Sequence, residues 1–334
     1  EDVTSAVGRQ TSIAVGSDGF PAISYQDTTD GSLKFGHCND YSCASFSSTT
    51  LHNIADIVGA YTSLAIGTDG YPVIAHQNGT SLDLLFVKCT NVFCSGISTS
   101  TTILDNGGAS NIGAYTSMTI GADGFPVVSY FDNSAGALKF VKCNDASCVS
   151  TTVRTLEDIS DSVGRYSSIQ IGVDGLPAMS YWNGGSSQLR FLKCNDASCS
   201  STTIRAFTDT GANVDTYTSM AIGTDGYPVI SYRTLTAGPG TLMFYRCSSI
   251  DCAPVGSSTA QMVATSTDLA IVLDGVGYTN VATSDNIYDQ IQGATSAKIA
   301  YQMAVTHVNA TDPITPNWEG QLSVATATYL QIWD

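Results

Sequence analysis

Thr62-Ser63-Leu64-Ala65-Ile66-Gly67-Thr68-Asp69-Gly70-Tyr71-Pro72-Val73-Ile74-Ala75-His76 is two short β-prone runs joined by a tight Asp-Gly turn. Glycine supplies the positive φ such a turn needs, and proline is tolerated as the first residue of the returning strand. The same sentence is written five times, opening at Thr11, Thr62, Thr116, Ser167 and Thr218 and turning at Asp18, Asp69, Asp123, Asp174 and Asp225. These aspartates lie 51, 54, 51 and 51 residues apart. A repeat near fifty residues with strand-like content predicts a propeller or another stacked β array.

Read onward, the second copy gives a polar loop from Gln77 to Asp83 and a third run Leu84-Leu85-Phe86-Val87-Lys88. A turn Thr90-Asn91-Val92-Phe93, bracketed by Cys89 and Cys94, then leads into a Ser/Thr-rich fourth strand from Ser95 to Asp105. Four antiparallel strands per repeat predict a blade. Third runs carry Leu-x-Phe (Leu33/Phe35, Leu138/Phe140, Leu189/Phe191, Leu242/Phe244) with mostly apolar partners, as expected when both faces of a sheet pack on neighbours. The fold class is therefore an all-β propeller of four-stranded blades: a repeat region 1–257 with blades at about 11–53, 62–105, 116–156, 167–208 and 218–257.

A degenerate sixth copy is expected in 258–334, because Leu269-Ala270-Ile271-Val272-Leu273-Asp274-Gly275 matches Met220-Ala221-Ile222-Gly223-Thr224-Asp225-Gly226 position by position. The alternative is a separate β-rich appendage. Residues 1–9 repeat the phase of 157–165, so the chain as given opens in an inter-blade linker, and the C-terminal region is expected to act as the clasp.

Ten cysteines form five Cys-x4-Cys pairs: Cys38/Cys43, Cys89/Cys94, Cys143/Cys148, Cys194/Cys199 and Cys247/Cys252. Metal binding is the alternative, but each repeat offers two thiolates and no regular histidine, whereas structural zinc takes four ligands. The pairs are read as local disulfides, which implies an oxidising, extracellular or cell-surface address. Net charge is −16, from 29 acidic and 13 basic residues, so nucleic acid and anionic membrane surfaces are excluded as partners. No apolar run is long enough for a membrane helix. No cofactor or metal site is expected: Asp27-Thr28-Thr29-Asp30-Gly31 and the Cys-Asn-Asp turns lack a full calcium loop and read as turns. Asn78-Gly79-Thr80 and Asn309-Ala310-Thr311 are glycosylation sequons.

The run Thr/Ser-Ser-x-Ala-Ile-Gly-x-Asp-Gly-x-Pro-Val-Ile-Ser-Tyr, followed by Gly-x-Leu-Lys-Phe, resembles the blade repeat of secreted bacterial sialidase-like β-propellers over residues 11–252. The tryptophan that closes that family's Asp-box is absent. The resemblance implies a fold rather than a function, because such repeats serve hydrolases, lectins and scaffolds alike. Sialidases hold a substrate carboxylate with three arginines and use a Tyr/Glu nucleophile pair and an acidic Asp. Here Arg9, Arg165, Arg233, Tyr232 and Glu157 fall on one expected face. Against that reading, Gln10-Thr11 follows Arg9 where the family has Ile-Pro, and Arg9 and Arg165 share one repeat phase. Asp27, Asp30, Asp83 and Asp132 offer no carboxylate pair singled out for glycoside hydrolysis.

That face gathers Tyr61, Tyr115, Tyr166 and Tyr217 at first-strand starts, where blade one has Gln10, and Tyr25, Tyr130, Tyr181 and Tyr232 at second-strand ends, where blade two has His76. Aromatic rings beside polar side chains suit sugar rings, although recurring tyrosines also serve to wedge blades together. The candidate ligand set is Tyr25, Gln26, His76, Tyr130, Phe131, Tyr181, Trp182, Tyr232 and Arg233. The leading expectation is a non-catalytic extracellular propeller for recognition or adhesion, directed at glycans. The alternatives are a structural subunit of a filament, surface layer or virion, binding copies of itself through the C-terminal region, and a sialidase-like glycoside hydrolase.

Overall fold

The computed structural model describes residues 7–52, 57–95, 101–108, 110–158, 162–207, 213–214, 217–235, 240–253 and 262–264. The chain divides into two compact units, Glu1–Val276 and Gly277–Asp334, and every described residue belongs to the first. The described residues are strands and turns without a helix.

They form five antiparallel sheets in chain order. The first is β1 (Val7–Val15), β2 (Pro21–Asp27), β3 (Ser32–Cys38) and β4 (Phe46–His52); the second is β5 (Ala60–Ile66), β6 (Pro72–Gln77), β7 (Leu84–Lys88) and β8 (Thr102–Asp105). The third is β9 (Ala114–Ile120), β10 (Pro126–Asp132), β11 (Ala137–Cys143) and β12 (Thr151–Glu157). The fourth is β13 (Val163–Ile171), β14 (Pro177–Asn183), β15 (Gln188–Cys194) and β16 (Thr202–Ala206). In the fifth, β17 (Asn213–Val214) and β18 (Ser219–Ile222) both pair with β19 (Pro228–Leu235), followed by β20 (Thr241–Arg246) and β21 (Met262–Ala264). These are the blades of a β-propeller. First strands begin earlier than expected, at Val7, Ala60, Ala114 and Val163, and the fifth sheet closes beyond the expected boundary at 257. The rest of the expected sixth copy and clasp, with Asn309, lies outside the described residues.

The repeated residues are the joints between blades. The serine after each opening Thr/Ser accepts a backbone N–H from the next first strand: Leu64 N to Ser12 Oγ at 3.0 Å, Met118 N to Ser63 Oγ at 2.9 Å, Ile169 N to Ser117 Oγ at 3.1 Å and Met220 N to Ser168 Oγ at 3.0 Å. The opening hydroxyl itself meets the Ser-Tyr serine of the preceding sheet, as Thr62 does with Ser24 (2.8 Å) and Ser167 with Ser129 (2.9 Å). Each hairpin aspartate bonds its own turn, as Asp69 Oδ1 does with Tyr71 N at 3.1 Å. Its other oxygen pairs with the cation preceding the first cysteine: Lys88–Asp69 at 2.5 Å, Lys142–Asp123, Lys193–Asp174 at 2.9 Å and Arg246–Asp225 at 2.6 Å. In the first sheet His37 stands in that place, 3.0 Å from Asp18.

All five expected disulfides are present: Cys38–Cys43, Cys89–Cys94, Cys143–Cys148, Cys194–Cys199 and Cys247–Cys252, with Cα atoms 4.7–4.9 Å apart. The second cysteine belongs to the turn, and the described fourth strands run Phe46–His52, Thr102–Asp105, Thr151–Glu157 and Thr202–Ala206, so that Ser95, expected to open the second of them, lies outside the strand. The physical reason is backbone conformation. Cys43, Cys94, Cys148, Cys199 and Cys252 are all left-handed, with φ of 53°, 48°, 53°, 50° and 49°, which a strand cannot continue. Each donates its N–H at 3.1 Å to the carbonyl three residues back, at Asp40, Asn91, Asp145, Asp196 and Ser249 respectively. In the first, third and fourth copies the side chain of that aspartate also accepts N–H groups from the residues after the cysteine, so the disulfide and the carboxylate hold the same turn. The cysteines are thus structural staples. Cys94, Cys148, Cys199 and Cys252 are buried beneath the turn, whereas Cys43 of the first sheet is exposed.

The core sits between sheets. Third-strand Leu-x-Phe pairs and the next sheet's first-strand knob form one apolar cluster per interface, such as Leu138 and Phe140 with Ile169. The knobs Leu64, Met118, Ile169 and Met220 are at most 6% exposed, and the first four Leu/Phe pairs at most 1%. At the two ends of the array the equivalent residues are open: Ile13 is 66% exposed, Leu242 51% and Phe244 38%.

Candidate functional site

The first strand of each sheet enters through Gly-x-Tyr or its counterpart: Gly8-Arg9-Gln10, Gly59-Ala60-Tyr61, Gly113-Ala114-Tyr115 and Gly164-Arg165-Tyr166, with Tyr217 in the fifth copy. The third residue is left-handed in every copy, with φ of 50° at Gln10, 49° at Tyr61, 54° at Tyr115, 55° at Tyr166 and 75° at Tyr217. The ladder shifts register at this point in the first four sheets. A bulge of this kind re-aims a side chain out of the pleat, and left-handed backbone at a residue other than glycine persists only where its surroundings enforce it.

The re-aimed rings form a continuous ladder. Ring centroids are 4.8 Å apart for Tyr61 and Tyr115, 4.2 Å for Tyr115 and Tyr166, and 4.7 Å for Tyr166 and Tyr217, with planes tilted by 47° to 52°. Gln10 ties the first sheet to the ladder by accepting Tyr61 N–H at 2.7 Å, and the Tyr115 hydroxyl donates to Tyr166 at 3.5 Å. Tyr61, Tyr115 and Tyr166 are half-buried and Tyr217 is exposed, so the rings keep solvent-facing surface.

Two arginines join them from sheets far apart in sequence. Burial and the neighbouring Tyr115 push the Tyr61 hydroxyl above the usual phenol pKa, while Arg9 and Arg165 both pull it down. The Arg165 guanidinium lies 5.0 Å from the Phe131 ring centroid, a cation–π contact, and its Nε is buried without a hydrogen-bond partner. Neither arginine is paired with a carboxylate among the described residues, whereas eight other Lys and Arg side chains form ion pairs with Asp or Glu. The ladder with Arg9 and Arg165 is thus a donor-rich aromatic surface on a strongly acidic protein.

The expected ligand set is largely corrected by burial. Tyr25, Gln26, His76, Tyr130, Phe131, Tyr181 and Tyr232 are all closed to solvent and pack the blades. Tyr130 donates to Asp105 at 2.5 Å beside Lys139, and Tyr181 donates to Glu157 at 2.5 Å beside Arg190. Burial, then the adjacent carboxylate, raises both hydroxyls well above the ordinary range. Gln26 donates to the Val58 carbonyl at 3.1 Å, and His76 Nδ1 accepts Gly59 N–H at 3.2 Å. Of the set, Trp182 is half-buried and Arg233 exposed, so these two keep access. The strand-start tyrosines, absent from the expected ligand set, carry the open surface; Tyr61, Tyr115 and Tyr166 each follow a glycine by two residues, and that glycine is the local signal of the left-handed entry.

The candidate carboxylates are engaged in structure. Asp27 pairs with Lys34 at 3.2 Å, Asp30 accepts Ser32 N–H, Asp83 accepts Gly107 N–H, Asp132 accepts Ser134 and Ala135 N–H, and Glu157 holds Tyr181. Among the described residues no group of three His, Cys, Asp or Glu gathers to hold a metal. Asn78 is buried, its Oδ1 accepting Thr80 and Ser81 N–H.

No protein-family model matches the chain, and no curated protein matches it. Solved structures do. A protein of unknown function from Dyadobacter fermentans DSM 18053 is 11% identical, with 74% of this chain and 81% of that one covered and a TM-score of 0.53. An ulvan lyase, a polysaccharide lyase bound to a GlcA(1-4)Rha3S saccharide, is also 11% identical, with 80% and 75% covered and a TM-score of 0.52. At such identity the likeness is one of fold. The resemblance to sialidase-like repeats therefore stands for the propeller and has no family match behind it.

Proposed function

We propose that this protein is a non-catalytic extracellular recognition propeller that binds saccharide on the tyrosine ladder. The observation that carries the reading is the left-handed residue at the first-strand entry, repeated in five copies, with the rings of Tyr61, Tyr115, Tyr166 and Tyr217 in one accessible ladder. Aromatic faces take the apolar faces of sugar rings, while phenol and guanidinium donors take their oxygens. The excess of donors around Tyr61, with Arg9 and Arg165, suits a saccharide rich in acceptors. That the ulvan lyase of similar fold is solved with a saccharide bound is consistent with this ligand class. The engagement of Asp27, Asp83, Asp132 and Glu157 in turns and blade contacts supports a binding rather than a hydrolytic role. Five disulfides support the extracellular address.

A glycan array followed by calorimetry tests it. A saccharide ligand is expected whose affinity falls about tenfold or more in Tyr115→Ala. The same affinity should hold in Tyr41→Ala, an exposed ring on the hairpin-turn side. Absence of any saccharide ligand, or equal binding by Tyr115→Ala, overturns the reading.

A further inference from the structure

Each disulfide locks a single turn, between cysteines five positions apart, and none joins one sheet to the next. Another pair of side chains is placed to make that link. Tyr115, at the entry of the third sheet, and Tyr166, at the entry of the fourth, are 51 positions apart in the chain. Their ring centroids are 4.2 Å apart with planes tilted by 47°, the shortest of the three ladder spacings above, and their hydroxyl oxygens are 3.5 Å apart. Hydroxyls that near bring the flanking ring carbons side by side, because each ortho carbon is two bonds from its oxygen. Both rings are half-buried, so they are held in place and still meet solvent.

We propose that Tyr115 and Tyr166 are an oxidative cross-linking site, coupled to dityrosine by hydrogen peroxide acting through a haem peroxidase. Each phenol gives up one electron and its hydroxyl proton, and the two phenoxyl radicals join through their ortho carbons. Each ortho hydrogen then moves to its oxygen as the rings regain aromaticity, while the peroxide takes up the two electrons and two protons and becomes two waters. Carbon atoms in contact must close by about 2 Å to form the bond, which small rotations of the two side chains supply. The setting is chemically consistent, since an address where five disulfides persist is oxidising. Other tyrosines lack either access or a partner. Tyr130, Tyr181 and Tyr232 are at most 1% exposed, and Tyr41, 80% exposed, has Phe20 beside it at 4.9 Å, a ring with no phenol to couple. The product would tie the third sheet to the fourth, and the site does not depend on any saccharide ligand.

Limited oxidation of the full chain by a haem peroxidase and hydrogen peroxide, over a dilution series, tests this, with linked peptides located by fragmentation mass spectrometry. The expected product is a monomer lighter by two hydrogens that carries the Tyr115–Tyr166 link, in a yield independent of protein concentration. The link should be lost in Tyr115→Phe and in Tyr166→Phe, which keep the ring and remove the phenol, and persist in Tyr41→Phe. Three results overturn the inference. One is wild-type protein in which Tyr115 and Tyr166 stay unlinked while Tyr41 joins separate copies. Another is a yield that falls on dilution. The third is an equal yield from the urea-unfolded chain, where the fold no longer sets the distance.

Discussion

Alanine substitution at Gly164 and Gly113 separates backbone conformation from close approach, because the two glycines share a repeat position and differ in what lies beside them. Both have positive φ, 104° at Gly164 and 81° at Gly113. A Cβ at Gly113 would meet the Leu84 Cα at 3.2 Å; at Gly164 it would meet the Leu138 Cα at 2.6 Å. Each contact is with the third strand of the preceding sheet, and backbone cannot swing aside as a side-chain tip can. The left-handed conformation costs an alanine about 1–2 kcal/mol at either site. At Gly164 the overlap adds about 1–3 kcal/mol for pushing two sheets apart. Gly164→Ala is therefore expected to cost about 2–5 kcal/mol, against about 1–2 kcal/mol for Gly113→Ala. Urea unfolding followed by tryptophan fluorescence measures both, with the shift in midpoint read at constant slope. Because Gly164 also sets the position of Arg165 and Tyr166, saccharide affinity should drop further in the same variant. Equal costs at the two sites would refute the claim that the glycine is there to let neighbouring sheets touch.

Two further outcomes follow from the same contacts. His76 is fully buried, and burial with the nearby His52 pushes its pKa down to about 3. Unfolded histidine titrates near 6.5, so below that pH the unfolded chain takes up a proton that the folded chain refuses until about pH 3. This contribution to stability is complete above pH 6.5 and is lost as pH falls toward 3; ring NMR of His76 should show no inflection between pH 5 and 7, and an inflection near 6 would contradict its placement. Each disulfide closes a loop between cysteines five positions apart, so the paired change Cys143→Ser with Cys148→Ser should cost about 2 kcal/mol in urea unfolding. A loss several times larger would mean that the bond organises the third sheet rather than restricting one turn.

The sequence by itself determined the array. Repeat period, Asp-Gly turns, Cys-x4-Cys spacing and the Leu-x-Phe alternation are local patterns, and local sterics turn each of them into strand, hairpin and disulfide without knowledge of neighbours. The repeat phase also gathered both sets of tyrosines on one face, but it did not separate Tyr130 from Tyr115. Both stand at positions that recur at strand ends and carry tyrosine in four of the five copies. One is sealed beneath an adjacent sheet against Asp105, and the other is turned outward by a left-handed residue whose glycine two positions upstream lies against the preceding sheet. Burial between sheets and the sign of φ at a bulge are set by residues some fifty positions away. Only the stacking of one repeat on the next decided which rings became core and which became surface.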